Sequence, residues 1–261
     1  MGLIEGQVAI VTGAANELTQ GIARRFSNEG AKVILVHRNQ AAADEAARAV
    51  PGAEAYGVDL TDPAAADALV KSVAEAHGPI HILLNGNHAA LKWDPLAERK
   101  DAAADFTAAF NEVVVSAVNA MRAVYPVMKA AGGGRIVNLG SIYGASANEG
   151  VTDAIAMDGA LTMLTRSAGV EWAKDGILVN FLQAAVPDIK VFAEYRALHA
   201  KSVDMLLNNT AIPRLADPVE DVGGAAMFLV SDEACFIVGH RVLADGGQHL
   251  TAAVFEPGAA R

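Results

Sequence analysis

QVAIVTGAANELTQGIARRFSNEGAKVILVHR, Gln7–Arg38, is the stretch from which the fold is read. Its first seven residues form an apolar run closed by Gly13, the pattern of a strand buried on both faces. A helical spacing follows from about Thr19 to Asn28, Gly30 interrupts it, and Ala31–Arg38 is a second apolar strand. A strand, a helix and a second buried strand make a parallel unit with a right-handed crossover.

The unit continues along the chain. Further strands are expected at Ala55–Asp59, Ile80–Gly86, Arg135–Ser141, Ile177–Gln183 and Arg241–Ala244. Helical patterns separate them at Ala41–Val50, Thr61–Gly78, Ala102–Ala130, Thr152–Lys174, Lys190–Asn209 and Pro218–Val230. Alternating elements of this kind predict a doubly wound α/β domain, a mostly parallel seven-stranded sheet with helices on both faces. No linker or shift in composition divides residues 1–261, so a single domain is expected, with a C-terminal tail over 250–261.

Composition narrows the function classes. Hydrophobic residues make up 52% of the 261, enough for a packed core. Thirty acidic against 20 basic residues give a net charge of −10 without a basic block, which argues against a nucleic-acid partner. No apolar run approaches the ~20 residues of a membrane span, Met1–Gly6 carries no positive leader, and a cytoplasmic location is expected. The single cysteine, Cys235, lies in a late apolar run and is expected to be a small buried hydrophobe. The seven histidines show no metal-ligand spacing, so no metal is expected.

Ligands of such a sheet bind at the carboxyl ends of the strands. The turn after Gly13 is suited to hold a pyrophosphate against a helix N-terminus, but Glu17 and Thr19 place side chains, one of them negative, where glycines permit close approach. His37 and Arg38 end the second strand. An acid there would bind the ribose hydroxyls of NAD, whereas Arg38 suits a 2′-phosphate. Asp59 ends the third strand and either touches an adenine or caps a turn.

Taken together, the chain resembles a short-chain dehydrogenase/reductase of the conventional type. The resemblance rests on VTGAA at Val11–Ala15, VDLTD at Val58–Asp62, GRIVNLGS at Gly134–Ser141, ILVN at Ile177–Asn180 and the block Arg214–Gly247. It implies a Rossmann-like fold, hydride transfer between NAD(P) and an alcohol or ketone, and a homodimer or homotetramer. It also implies a substrate-covering lid at 187–213, with Phe192, Tyr195, Leu198, Met205, Leu206 and Leu207 as candidate pocket residues.

The implied site residues are largely replaced. Ser141 stands at the family's serine; thirteen residues on, where a tyrosine is the acid/base, stands Ala154, and four further, where a lysine tunes it, stands Asp158. Thirteen residues before Pro126, Val113 takes the asparagine position. In the phosphate loop only Gly13 remains of three glycines; the Asn-Asn-Ala-Gly turn reads Asn85, Gly86, Asn87, His88; and the Pro-Gly pair after the sixth strand reads Gln183, Ala184.

An alanine exchanges no proton. The expectation is therefore a divergent member, a pseudoenzyme that has lost conventional NAD(P)-dependent chemistry and keeps a small-molecule crevice or a role toward a partner, including an active paralogue. One alternative is a cofactor-independent, non-redox enzyme using Ser141, Asp158 and either His88 or Tyr143, with His88 pairing to Asp158 or Glu149. A second is an atypical NADP-dependent reductase with a relocated acid. If NADP or NAD binds, Gly13, Arg38, Asp59 and Asn85 are the expected contacts.

Overall fold

The computed structural model describes residues 2–89, 91–145, 150–185, 190, 193, 197, 200–208 and 210–250. Seven strands, β1 (Val8–Thr12), β2 (Lys32–His37), β3 (Glu54–Gly57), β4 (Ile80–Asn85), β5 (Gly134–Ser141), β6 (Ile177–Ala184) and β7 (Arg241–Ala244), form one sheet in the order β3-β2-β1-β4-β5-β6-β7. Every neighbouring pair is parallel. All five residues of β1 are buried, as its unbroken apolar run requires of a central strand covered on both sides.

Helices cover both faces. On one, α1 (Glu17–Asn28) and the helix Gly223–Val230 bring Ile22, Phe26, Ala226 and Leu229 against Ala9, Val11 and Leu35. On the other, α3 (Pro63–His77) and α5 (Ser116–Ala130) bring Val70, Val73, Met121 and Val124 against Ile10, Ile34 and Leu83. Each fully buried Ile, Leu or Phe contributes about 1.5–3 kcal/mol, so these two layers hold the sheet. The helix α2 (Gln40–Arg48) follows β2 and contributes Ala46 to the first layer.

Several boundaries move for local reasons. The helix α1 begins at Glu17 rather than Thr19, because the Asn16 carboxamide caps it by accepting from the Leu18 N–H at 2.9 Å. The long helix expected at Ala102–Ala130 is instead α4 (Ala102–Phe110), a π-helical turn Asn111–Val115, and α5. Such turns recur at functional sites, and this one carries Val113. The helix α6 runs Thr152–Trp172; a 3₁₀ turn over Ala173–Asp175 and Gly176 at φ 76° end it.

Of the expected lid, Lys190, Ala193 and Ala197 are helical and a helix spans Ala200–Asn208. Phe192, Tyr195 and Leu198, the side chains of Met205 and Leu206, and the tail 251–261 lie outside the described residues; Leu207 is half-buried. Cys235 is exposed, not buried. The helix Gly223–Val230 stops at Ser231 and one 3₁₀ turn, Asp232–Ala234, carries the chain outward, so Cys235 and the fully exposed Phe236 leave the core. Among the described residues no helix is long and apolar enough to cross a membrane.

Candidate functional site

The carboxyl ends of the strands, where ligands of such a sheet bind, divide into three parts. The first is the turn between β1 and α1. Gly13 has φ 71°, and a Cβ on it would lie 2.3 Å from the Gly86 carbonyl oxygen, so the glycine is required by the approach of two backbones. Thr19 is fully buried, and a Cβ on Gly86 would lie 2.9 Å from its side chain. The small residue has thus changed sides: Thr19 stands in place of a helix glycine, and Gly86 makes the room. The Thr19 hydroxyl has no hydrogen-bond partner among the described residues. Glu17 is the first residue of α1, and its Oε2 accepts from the backbone N–H of Lys190 at 2.6 Å.

The second part lies at the ends of β2 and β3. Arg38 is ion-paired with Glu112, which the π-helical turn presents from across the crevice. Asp59 accepts from the N–H and hydroxyl of Thr61 at 2.9 and 2.7 Å, and these bonds hold its carboxyl below the usual range. The hollow bounded by His37, Arg38, Asp59, Asn87 and Glu112 has a volume of about 10 Å³, on the scale of a single water. Asn85 points into the core: its amide donates to Asn138 at 2.8 Å, and Asn138 donates to Thr165 at 2.9 Å, joining β4, β5 and α6.

The third part is the exit of β5. The Ser141 N–H donates to Asp158 Oδ2 at 3.0 Å, and the Ser141 hydroxyl accepts from the Tyr143 N–H at 3.3 Å. The Ser141 carbonyl accepts from the Gln183 amide, Gln183 Oε1 accepts from the Arg241 guanidinium, and Arg241 donates back to the Gly144 carbonyl at 3.1 Å. The turn Ser141–Gly144 is thereby held from α6, β6 and β7 at once. A Cβ on Gly144 would meet Asp158 Oδ2 at 2.2 Å, so the carboxylate packs against the turn's backbone. Burial pushes the Asp158 carboxyl from 3.8 up to about 7, against the opposing pull of the Ser141 N–H and of Arg241.

Ala154 is half-buried in the first turn of α6. Val113 is buried in a cluster with Met157, Leu161 and Phe181. His88 does not meet Asp158. Its Nδ1 lies 3.3 Å from the Asn16 amide, at the rim of the first part, and desolvation by the surrounding protein lowers its pKa although the ring reaches the surface. Glu149, its other expected partner, lies outside the described residues. The Tyr143 ring meets Trp93 edge-on, with centroids 5.3 Å apart. Trp93 itself has φ 58°, and its backbone crosses Gly150 so closely that a Cβ there would lie 2.6 Å away.

Four pairings here were not anticipated: Glu17 with Lys190, Arg38 with Glu112, Gln183 with Arg241, and Arg99 with Asp153. In the last, both guanidinium NH groups lie 3.0 Å from the carboxylate of Asp153, and the Arg99 side chain is 1% exposed. It also donates to the Gly150 carbonyl at 2.9 Å, fastening the segment after β4 to the start of α6. Among the described residues no group of three or more His, Cys, Asp or Glu side chains is placed to hold a metal ion.

A family model described as enoyl-(acyl carrier protein) reductase matches residues 13–249. The chain is 34% identical to the oxidoreductase UcpA of Escherichia coli (strain K12), over 97% of this chain and 98% of that protein. It is 35% identical to a galactitol 2-dehydrogenase (L-tagatose-forming) of Cereibacter sphaeroides, over 94% and 95%. Among solved structures, NAD⁺-bound xylitol dehydrogenase superposes with a TM-score of 0.86 at 25% identity, covering 94% of this chain and 99% of that one.

Proposed function

The chain belongs to the short-chain dehydrogenase/reductase family, and we propose that it has left that family's dinucleotide-dependent hydride transfer and keeps the crevice for a small molecule or a partner. One observation carries this reading. Where the family has a tyrosine and a lysine, a methyl group and an inward-turned carboxylate stand, and that carboxylate is occupied by the Ser141 N–H. Ala154 has no proton to give a carbonyl oxygen, and no lysine stands at 158 to tune an acid there.

NAD(P) does not fit the residues present. The Glu17 carboxylate stands at the helix N-terminus where a pyrophosphate would lie, and two negative groups in one partly dry place repel. The Arg38–Glu112 ion pair crosses the adenosine end and leaves only about 10 Å³. The names of the relatives pull the other way, since they are called dehydrogenases and oxidoreductases. Those names describe proteins that share the scaffold, while activity resides in the site.

A second reading has one specific support. A carboxyl titrating near 7 in a crevice is a functional-site candidate. Asp158 then serves as a proton acceptor in cofactor-independent chemistry, with Ser141 and Tyr143 beside it. A third, NADP-dependent reduction, requires Arg38 to leave Glu112 for a 2′-phosphate. We also infer a homo-oligomer, supported by two exposed apolar residues, Val170 on α6 at 82% and Phe236 at 100%.

Calorimetric titration with NADP(H) and NAD(H) tests the first reading. No binding is expected up to low-millimolar ligand. A dissociation constant below ~10 μM, equivalent to more than about 7 kcal/mol of binding, would overturn it and return the protein to redox chemistry.

A further inference from the structure

Glu17 is a liability as a plain replacement for glycine, because it places charge at the mouth of the crevice. Its geometry gives it a use. Its carboxylate lies in the first turn of α1, where the N-terminal N–H groups and the helix dipole favour an anion. The same carboxylate accepts the backbone N–H of Lys190, a residue 173 positions away that follows β6 on the opposite rim. A ligand phosphate at this place would also sit between a helix N-terminus and donors on the far rim.

We propose that the Glu17 carboxylate is the chain's own substitute for a ligand phosphate, bridging the two rims of the crevice and excluding phosphorylated molecules from it. This rests on the reading that no dinucleotide is used. It narrows the ligand of the crevice to molecules without a phosphate at this position, neutral or cationic at the end facing Glu17. The bridge is made by the chain's own groups. Two features of the same turn agree with it. Asn16 caps α1 through its own side chain, at 2.9 Å from the Leu18 N–H, satisfying a donor that a phosphate would otherwise take. Thr19 fills the position where a glycine would admit a close approach.

The test uses the full chain, with wild type, Glu17→Gly and Glu17→Gln compared by amide hydrogen exchange and by calorimetry with inorganic pyrophosphate. In Glu17→Gly the Lys190 amide loses its acceptor, and its exchange should rise about 10-fold, as the loss of a hydrogen bond to a charged group implies. Glu17→Gln keeps an acceptor without the charge, so Lys190 stays protected. Pyrophosphate should bind Glu17→Gly, bind Glu17→Gln more weakly because the bridge persists without the charge, and not bind wild type.

Lys190 exchange that is equal in wild type and Glu17→Gly overturns the bridge. Pyrophosphate bound by neither variant, or by wild type as well, overturns the exclusion. Should wild type bind NADPH tightly while Lys190 protection still depends on Glu17, the loss of cofactor use and the exclusion fall together and the bridge alone stands.

Discussion

Replacing Asp158 with asparagine isolates the effect of one buried carboxyl on stability. Burial raises its folded-state pKa from 3.8 to about 7. Between those values the folded protein retains a proton that the unfolded chain has released. Stability is therefore greatest below the unfolded pKa and declines as pH rises through the folded one. From pH 5 to pH 8 the full shift amounts to about 2.5 kcal/mol. Water reaching the half-buried group reduces this to about 1–2 kcal/mol. At ~2–4 °C per kcal/mol for a chain of this size, the melting temperature moves by roughly 2–8 °C. The asparagine side chain keeps an oxygen for the Ser141 N–H and does not titrate, and all other ionisable groups are shared. Differential scanning calorimetry of both proteins from pH 5 to 8 should show the wild type losing that much relative to Asp158→Asn. Parallel profiles would refute the reasoning. A wild type that gains on the variant with rising pH would mean that Arg241 holds Asp158 as an anion.

Two further outcomes follow from packing. Gly13→Ala places a methyl 2.3 Å from the Gly86 carbonyl oxygen at a φ of 71°, and should lower stability in denaturant titrations by about 1–3 kcal/mol or more; an unchanged midpoint would show that the turn relaxes freely. Phe236→Asp replaces a fully exposed apolar ring with a charge, and light scattering at micromolar concentration should show a smaller species than wild type; equal masses would place the interface elsewhere.

The sheet was readable because each central strand is a run of apolar residues closed by a turn signal, a pattern that depends only on neighbours in sequence. The start of α1 was missed by two residues because Asn16 acts through a side-chain bond, although an asparagine before a helical run is itself a start signal. Ser141, Ala154 and Asp158 were placed through the family resemblance, by counting along one crossover. Where their side chains turn was not legible. Asp158 was read as a residue open to the crevice, with His88 within reach, whereas its carboxylate faces the Ser141 N–H and His88 faces Asn16. Glu17 with Lys190, Arg38 with Glu112, and Gln183 with Arg241 join residues from distant parts of the chain. Such contacts exist only once the sheet has assembled, and no local pattern announces them. Cys235 was misplaced because its apolar neighbours suggested a core, while the 3₁₀ turn before it carries the chain outward.

Active sites commonly hold polar groups in wait for a substrate, and the protein is less stable for it. The ring of contacts from Asp158 through Ser141, Gln183 and Arg241 to Gly144 reverses that relation. Each member answers another within the chain, so the exit of β5 is braced by the chain's own groups. A side chain at 158 without a hydrogen-bond acceptor would therefore untie the β5 exit from α6 while leaving the ties from β6 and β7 in place.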